Sequence, residues 1–193
     1  MVTSPVLWTI GHSNHEFGSF VDLLRQECVE YIADVRSYPY SRHAPQFNRE
    51  DLQAALRAHS IGYLFLGEEL GGRPSREEHY DAEGHALYGA MADEPAFAGA
   101  IDRLLRGAAK HRITLVCSEG DPHDCHRRLL VGKVLTDNGA ELRHLLRDGT
   151  ILDERSVELG SGEPPTLFGK HEQQWRSTQS VSHRRRLSAS SAG

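Results

Sequence analysis

Short apolar runs separated by polar breaks rich in glycine and proline recur along the chain. Val6 to Ile10 is apolar, aromatic and β-branched, which predicts a strand, and Gly11-His12-Ser13-Asn14 ends it. Phe17, Phe20, Val21 and Leu24 then fall at helical spacing and predict a helix from about Glu16 to Gln26. Tyr31 to Val35 predicts a second strand. Asn48 is read as the cap of a helix from Arg49 to His59, with Leu52, Ala55 and Leu56 inside. Ile61 to Leu66 predicts a third strand. Residues 75 to 94 are polar with weak periodicity and read as an excursion holding a short helix. Pro95 to Lys110 is amphipathic, with Phe97, Ile101, Leu104 and Leu105 on one face. Ile113 to Cys117 reads as a buried strand, broken by Gly120, Asp121 and Pro122. Asp124 is placed to cap a helix that starts near Cys125 and runs through Leu129, Leu130, Val131, Val134 and Leu135. Glu141 to Leu146 is a last strand or a helix end.

Regular alternation of strand and helix predicts an α/β fold: a single domain with a mostly parallel sheet and helices on both faces. Right-handed crossovers put the C-terminal end of every strand on one edge, where ligands bind in such sheets. That edge gathers four polar loops, at Gly11 to Asn14, Asp34 to Ser41, Gly67 to Arg73 and Cys117 to Arg127. This domain is expected over residues 1–150. Residues 151–193 read as a flexible C-terminal tail, Ser- and Arg-rich at its end.

The formal net charge of -5 over 193 residues excludes a chain that binds nucleic acid over its whole surface, so any such contact needs a local basic patch. Three cysteines (Cys28, Cys117, Cys125) at irregular spacing argue against a disulfide scaffold. No run is long and apolar enough to span a membrane, and no apolar signal segment follows a basic start, so a cytoplasmic protein without membrane contact is expected.

Four groups of residues can carry chemistry. Cys117, Cys125 and His126, joined by His123 or His12, can hold a soft metal such as zinc, or Cys125 can be a reactive thiol near a helix start. Alternatively Cys117 is a small core hydrophobe and His126 a structural side chain. Asp34 and Glu119, both at strand ends, can divide acid and base roles across a cleft. Equally, Asp34 forms a buried ion pair with Arg36, Arg42 or Arg127. Arg36, Arg42, Arg73, Arg127 and Arg128 make a local anion site, with Tyr38, Tyr40, Phe47 and Tyr63 interleaved as stacking surfaces for bases. His12 is a candidate general base, while Ser13 or Asn14 caps the first helix.

Taken together, four segments resemble the bacterial domain-of-unknown-function 488 family. They are Thr9-Ile10-Gly11-His12-Ser13-Asn14, Asp34-Val35-Arg36-Ser37-Tyr38-Pro39-Tyr40-Ser41, Leu66-Gly67 with Leu70-Gly71-Gly72, and Val116-Cys117-Ser118-Glu119 with Cys125-His126-Arg127. The resemblance covers about residues 6 to 146 and implies a fold and motif positions, not a reaction. Pro164-Pro165-Thr166-Leu167-Phe168 is similar to the short peptides by which bacterial repair enzymes dock on the sliding clamp; the other reading is a Leu167-Phe168 pair folded back on the domain.

The function expected from these residues is an enzyme acting on nucleic acid or a nucleotide, with DNA-damage processing by N-glycosidic cleavage as the specific form. Asp34 and Glu119 flank the scissile bond, and His12 or His126 moves a proton. Arg36, Ser37, Tyr40, Ser41, Arg42, Tyr63, Gly71, Gly72, Cys117, Cys125 and Arg127 bind substrate. No cofactor is required by that reading. The alternatives are thiol or sulfur-transfer chemistry, a hydrolase using zinc or another divalent metal at Cys117, Cys125 and His126, and a nucleotide-binding module without catalysis.

Overall fold

Every residue of Ile113–Cys117 is buried, because this strand, β4, sits between two parallel neighbours with helices above and below it. The computed structural model describes residues 4–160 and 174–182. Its six-stranded sheet has the order β3-β2-β4-β1-β5-β6. Here β1 is Val6–Gly11, β2 Tyr31–Asp34, β3 Gly62–Phe65, β5 Glu141–Leu145 and β6 Ile151–Asp153. All pairings are parallel except β5 with β6.

Strand alternation sorts neighbouring residues into two apolar layers. Trp8, Ile10, Ile32 and Val116 point to the face covered by α1 (Phe17–Gln26) and α2 (Arg49–Ala58), where Phe20, Leu24, Leu52 and Leu56 meet them. Leu7, Ala33 and Leu115 point to the opposite face. That face carries α3 (Gly67–Leu70), α4 (Tyr88–Ala92), α5 (Pro95–Ala108) and the helix after β4. Each fully buried Leu, Ile or Phe contributes about 1.5–3 kcal/mol of burial free energy, so the two layers supply most of the drive to fold. The α/β expectation with helices on both faces therefore holds.

The helix after β4 begins with a π-helical stretch, Arg127–Gly132, and continues as α6 (Lys133–Asp137). Gly132 lets it lie close to the sheet, since a Cβ there would come within 2.7 Å of Leu142. All three capping expectations need correction. The N-cap position of α1 is Glu16, and neither Ser13 nor Asn14 caps the helix with its side chain. The helix that follows Cys125 has no side-chain cap from Asp124. Asn48 does sit at the start of α2, but its Oδ1 accepts the Ser41 N–H at 2.7 Å and fixes the preceding loop instead.

The expected tail also needs correction. Past residue 150 the chain adds β6 to the sheet edge and forms α7 (Glu154–Gly160). Residues 174–182 then lie on the domain. Trp175 donates its indole N–H to the Leu129 carbonyl at 2.8 Å, and Ser177 and Val181 bond to the backbone of Ala86 and Gly84. Leu167-Phe168 and Arg184 to Arg186 fall outside the described residues. Among those described, no helix is long and apolar enough to cross a membrane.

Candidate active site

The loops after β1 and β4 are tied together at the C-terminal edge of the sheet. His12 N–H donates to the Cys117 carbonyl at 2.8 Å, and Ser13 N–H to that of Ser118 at 2.9 Å. Gly11 permits the approach: a Cβ there would come within 1.7 Å of the Glu119 carbonyl oxygen. Against this pair of loops opens a cleft of about 390 Å³ lined by Arg36, Ser37, Tyr38, Gly72, Arg73, Tyr88, Cys117, Glu119 and His126. Its remaining wall includes Asp121, Asp124, Ser177, Thr178, Gln179 and Val181. A larger hollow, about 590 Å³, lies beside α6 and Trp175. There Arg128 pairs with Glu154 and Lys133 with Asp137, whereas the smaller cleft is the one that holds Cys117, Glu119 and His126.

Two thiols and an imidazole meet at the base of that cleft. Cys117 and Cys125 are both buried, and His126 places Nδ1 3.7 Å from the first sulphur and 3.9 Å from the second. Its other nitrogen, Nε2, lies 2.8 Å from the Val35 carbonyl. A carbonyl only accepts, so Nε2 carries a proton and donates, and Nδ1 is the nitrogen that faces the sulphurs. The hydrogen bond from the Cys125 thiol and the neighbouring His126 hold the Cys117 thiol well below its ordinary range. Burial and the adjacent Cys117 push Cys125 well above it. Burial opposes protonation of His126, but Cys117 beside it raises its pKa overall. Gly72 makes the close contact possible, because a Cβ there would lie 2.5 Å from the His126 ring.

The arginines do not form the expected anion site. Arg127 is fully buried and gives its guanidinium to the carbonyls of Glu119 and Gly120 and to Thr9 Oγ1, so it shapes the loop after β4 and binds no ligand. Arg36 is likewise spent: Nε and one terminal nitrogen pair with Asp34 at 2.8 and 2.6 Å. Its other terminal nitrogen reaches the Phe47 carbonyl and His12 Nε2. Arg128 pairs with Glu154 at 2.8 Å. Arg73 is the arginine left exposed on the cleft wall.

The proposed carboxylate pair separates for the same reason. Asp34 is wholly buried, holding Arg36 and accepting the Tyr63 hydroxyl at 2.7 Å, whereas Glu119 is exposed in the cleft. Of the two readings of Asp34, the geometry is that of the buried ion pair. His12 is buried, its ring stacked on Phe47 at 4.5 Å. Burial and the Arg36 charge lower its pKa to about 4, so it stands neutral, with Nδ1 donating to the Ser13 carbonyl and Nε2 accepting from Arg36. That arrangement orients Arg36 and leaves no nitrogen for a proton shuttle.

Of the other expected substrate contacts, Ser37 and Gly72 line the cleft. Tyr40 donates to Glu50, Ser41 is held by Asn48, Arg42 is exposed outside the cleft lining, and Gly71 packs on Ser37. Sequence reading missed Tyr88 and the wall formed by residues 177–181. The available signal was Trp175, a large aromatic in a polar stretch, which packs half-buried against the domain.

The donor atoms of Cys117, Glu119, Cys125 and His126 all lie within 4.8 Å of one another, a spacing that a single ion can bridge. Thus an α/β domain with a cysteine–histidine centre at the C-terminal edge of its parallel strands is defined. Residues 16–134 match the family described as domain of unknown function DUF488, and the chain belongs to that family. No curated protein and no solved structure matches the chain.

Proposed function

We propose that the protein is a hydrolase acting on a nucleotide, or on one nucleotide unit of a nucleic acid, with Glu119 as general base. The observation that carries this reading is a convergence in one cleft: the Glu119 carboxylate beside Cys117 and His126, with Tyr38 and Arg73 at the mouth. The Tyr38 ring is 73% exposed and sits 5.2 Å from the Tyr40 ring. Stacking a base on such a surface is worth about 1–3 kcal/mol. Arg73 forms no ion pair among the described residues and suits a phosphate. With Arg36, Arg127 and Arg128 already engaged, the cleft offers an anchor for a single phosphate group, which favours one nucleotide unit over a length of strand. Paired-carboxylate cleavage loses its support because Asp34 does not share the cleft with Glu119. A positioned general base supplies roughly 10²–10⁴-fold of rate and needs an electrophile to work against.

Purified full-length protein is incubated with nucleosides, nucleotides and short single-stranded oligonucleotides carrying normal and damaged bases, and products are identified by mass. Water added across an N-glycosidic bond, a phosphoester or a base amino group is the expected result. Glu119→Gln should cut turnover at least a hundredfold with substrate binding retained, since the side chain is exposed and bears no load in the core. No hydrolytic product from any of these substrates, or full turnover in Glu119→Gln, overturns the reading.

A further inference from the structure

We infer that Cys117, Cys125 and His126 are the three protein ligands of a catalytic zinc ion, with a water in the fourth position facing Glu119. The inference deepens the hydrolase reading and rests on it for the role of the water, though not for the presence of the ion. Zinc bound tetrahedrally, with Zn–S near 2.3 Å and Zn–N near 2.0–2.1 Å, sets its ligand atoms about 3.5–3.8 Å apart. The two sulphur-to-Nδ1 distances, 3.7 and 3.9 Å, exceed the sulphur–nitrogen edge of such a site by only a few tenths of an ångström, a gap that a small side-chain shift closes. A thiol–imidazole hydrogen bond would explain one such contact; here both sulphurs approach the same nitrogen, and all the donor atoms of the group lie within 4.8 Å of one another. The outer contact is also that of a metal-bound histidine. Nε2 donates to the Val35 carbonyl at 2.8 Å, which fixes the tautomer with Nδ1 as the lone-pair donor and holds the ring in place.

Exposure distinguishes the ligands from the fourth group. Cys117 and Cys125 are buried, at 2% and 0%, while Glu119 is exposed on the cleft side. Structural zinc sites close all four positions with protein; catalytic ones leave one open. Two sulphurs and an imidazole select zinc over the hard cations that prefer oxygen. The fully buried Arg127 guanidinium has only neutral oxygen partners, so two thiolates nearby are electrostatically welcome. The zinc lowers the pKa of its water to about 7. The water gives a proton to Glu119, and the hydroxide bonds to the electrophilic carbon or phosphorus of the substrate. As the bond to the leaving group breaks, Glu119 returns the proton to it.

The test is made on the full chain, produced with zinc in the medium, dialysed and assayed for metals by mass spectrometry. One zinc per chain is expected. Cobalt added to the metal-free protein should give a saturable thiolate-to-cobalt charge-transfer band together with the visible bands of a tetrahedral ion. This spectrum is read on the unaltered chain, so it stands even if a variant fails to fold. Cys117→Ser and Cys125→Ser should each lower zinc affinity tenfold or more, whereas Cys28→Ser and Glu119→Gln keep one zinc. A chain without stoichiometric zinc and without the cobalt band, or zinc bound equally tightly by Cys125→Ser, overturns the inference. Turnover undiminished in chelated protein overturns the zinc and leaves the hydrolase. One tightly held zinc in a chain that hydrolyses none of the substrates does the reverse.

Discussion

Replacing Asp34 by Asn should be costly to the fold and should tell structure from catalysis. Asp34 is wholly buried and receives hydrogen bonds from Arg36 Nε at 2.8 Å, Arg36 Nη2 at 2.6 Å, the Arg36 backbone N–H at 3.1 Å and the Tyr63 hydroxyl at 2.7 Å. An amide keeps one acceptor oxygen, turns donors toward a guanidinium that is itself all donors, and leaves the Arg36 charge unbalanced at 6% exposure. Breaking a buried pair from one side costs about 3–5 kcal/mol. For a chain of this size each kcal/mol lowers Tm by about 2–4 °C, so a fall of roughly 10 °C is expected. Thermal and urea unfolding at neutral pH, followed by circular dichroism, measure it. Removing both charges in Asp34→Leu/Arg36→Met should give a protein more stable than Asp34→Asn, because no lone charge remains buried. An Asp34→Asn protein that melts within about 2 °C of the parent but has lost its turnover would refute the structural assignment and return Asp34 to the chemistry.

Three further outcomes follow from the same geometry. His12 titrates near 4 in the fold against 6.5 when free, so the unfolded chain takes up the proton first; stability is complete above about pH 6.5 and falls by about 3 kcal/mol as the pH drops to about 4. The groups facing His12 are Arg36, Asp34, Cys117, the Ser13 carbonyl and the Phe47 ring. Urea titrations between pH 7.5 and 4.5 check it, and His12→Gln should flatten the slope. Gly72→Ala pushes a Cβ to 2.5 Å from a ring that the Val35 carbonyl pins, so a tenfold or so loss of zinc affinity and turnover is expected; unchanged values would show that the ring can yield. Trp175→Ala removes the bond to the Leu129 carbonyl and the edge contact with Tyr88, costing about 2–4 kcal/mol and raising KM through a loosened cleft wall, both read by unfolding and steady-state kinetics.

What could be read from the residue order was whatever depends on periodicity. Ile113 to Cys117 announced itself as a buried strand, and Phe17, Phe20 and Leu24 as a helix face, because burial on one or two sides leaves a repeating mark. The loops that carry Cys117, Glu119 and His126 were likewise placed at the correct edge by topology alone. Direction of long side chains leaves no such mark. Arg127 and Arg36 occupy site loops and looked like phosphate ligands, yet each turns inward to carbonyls or to Asp34. Asn48 stands where a cap belongs and spends its oxygen on Ser41. Trp175 is the one local mark that residues 174–182 return to the domain, and it does not say where, because their partners, Gly84, Ala86 and Leu129, are distant in sequence.

That return has a consequence for how the cleft comes into being. The sheet, its two apolar layers and the thiol–imidazole group are all encoded before residue 154. Those residues leave one side of the cleft to be supplied from much later in the chain. Trp175 sits beside Tyr88 and Leu129, and Ser177, Thr178, Gln179 and Val181 enclose the space above Cys117. The reactive groups and the wall a ligand meets are thus drawn from separate stretches of the chain, so the wall can vary in sequence while the groups beneath it stay the same.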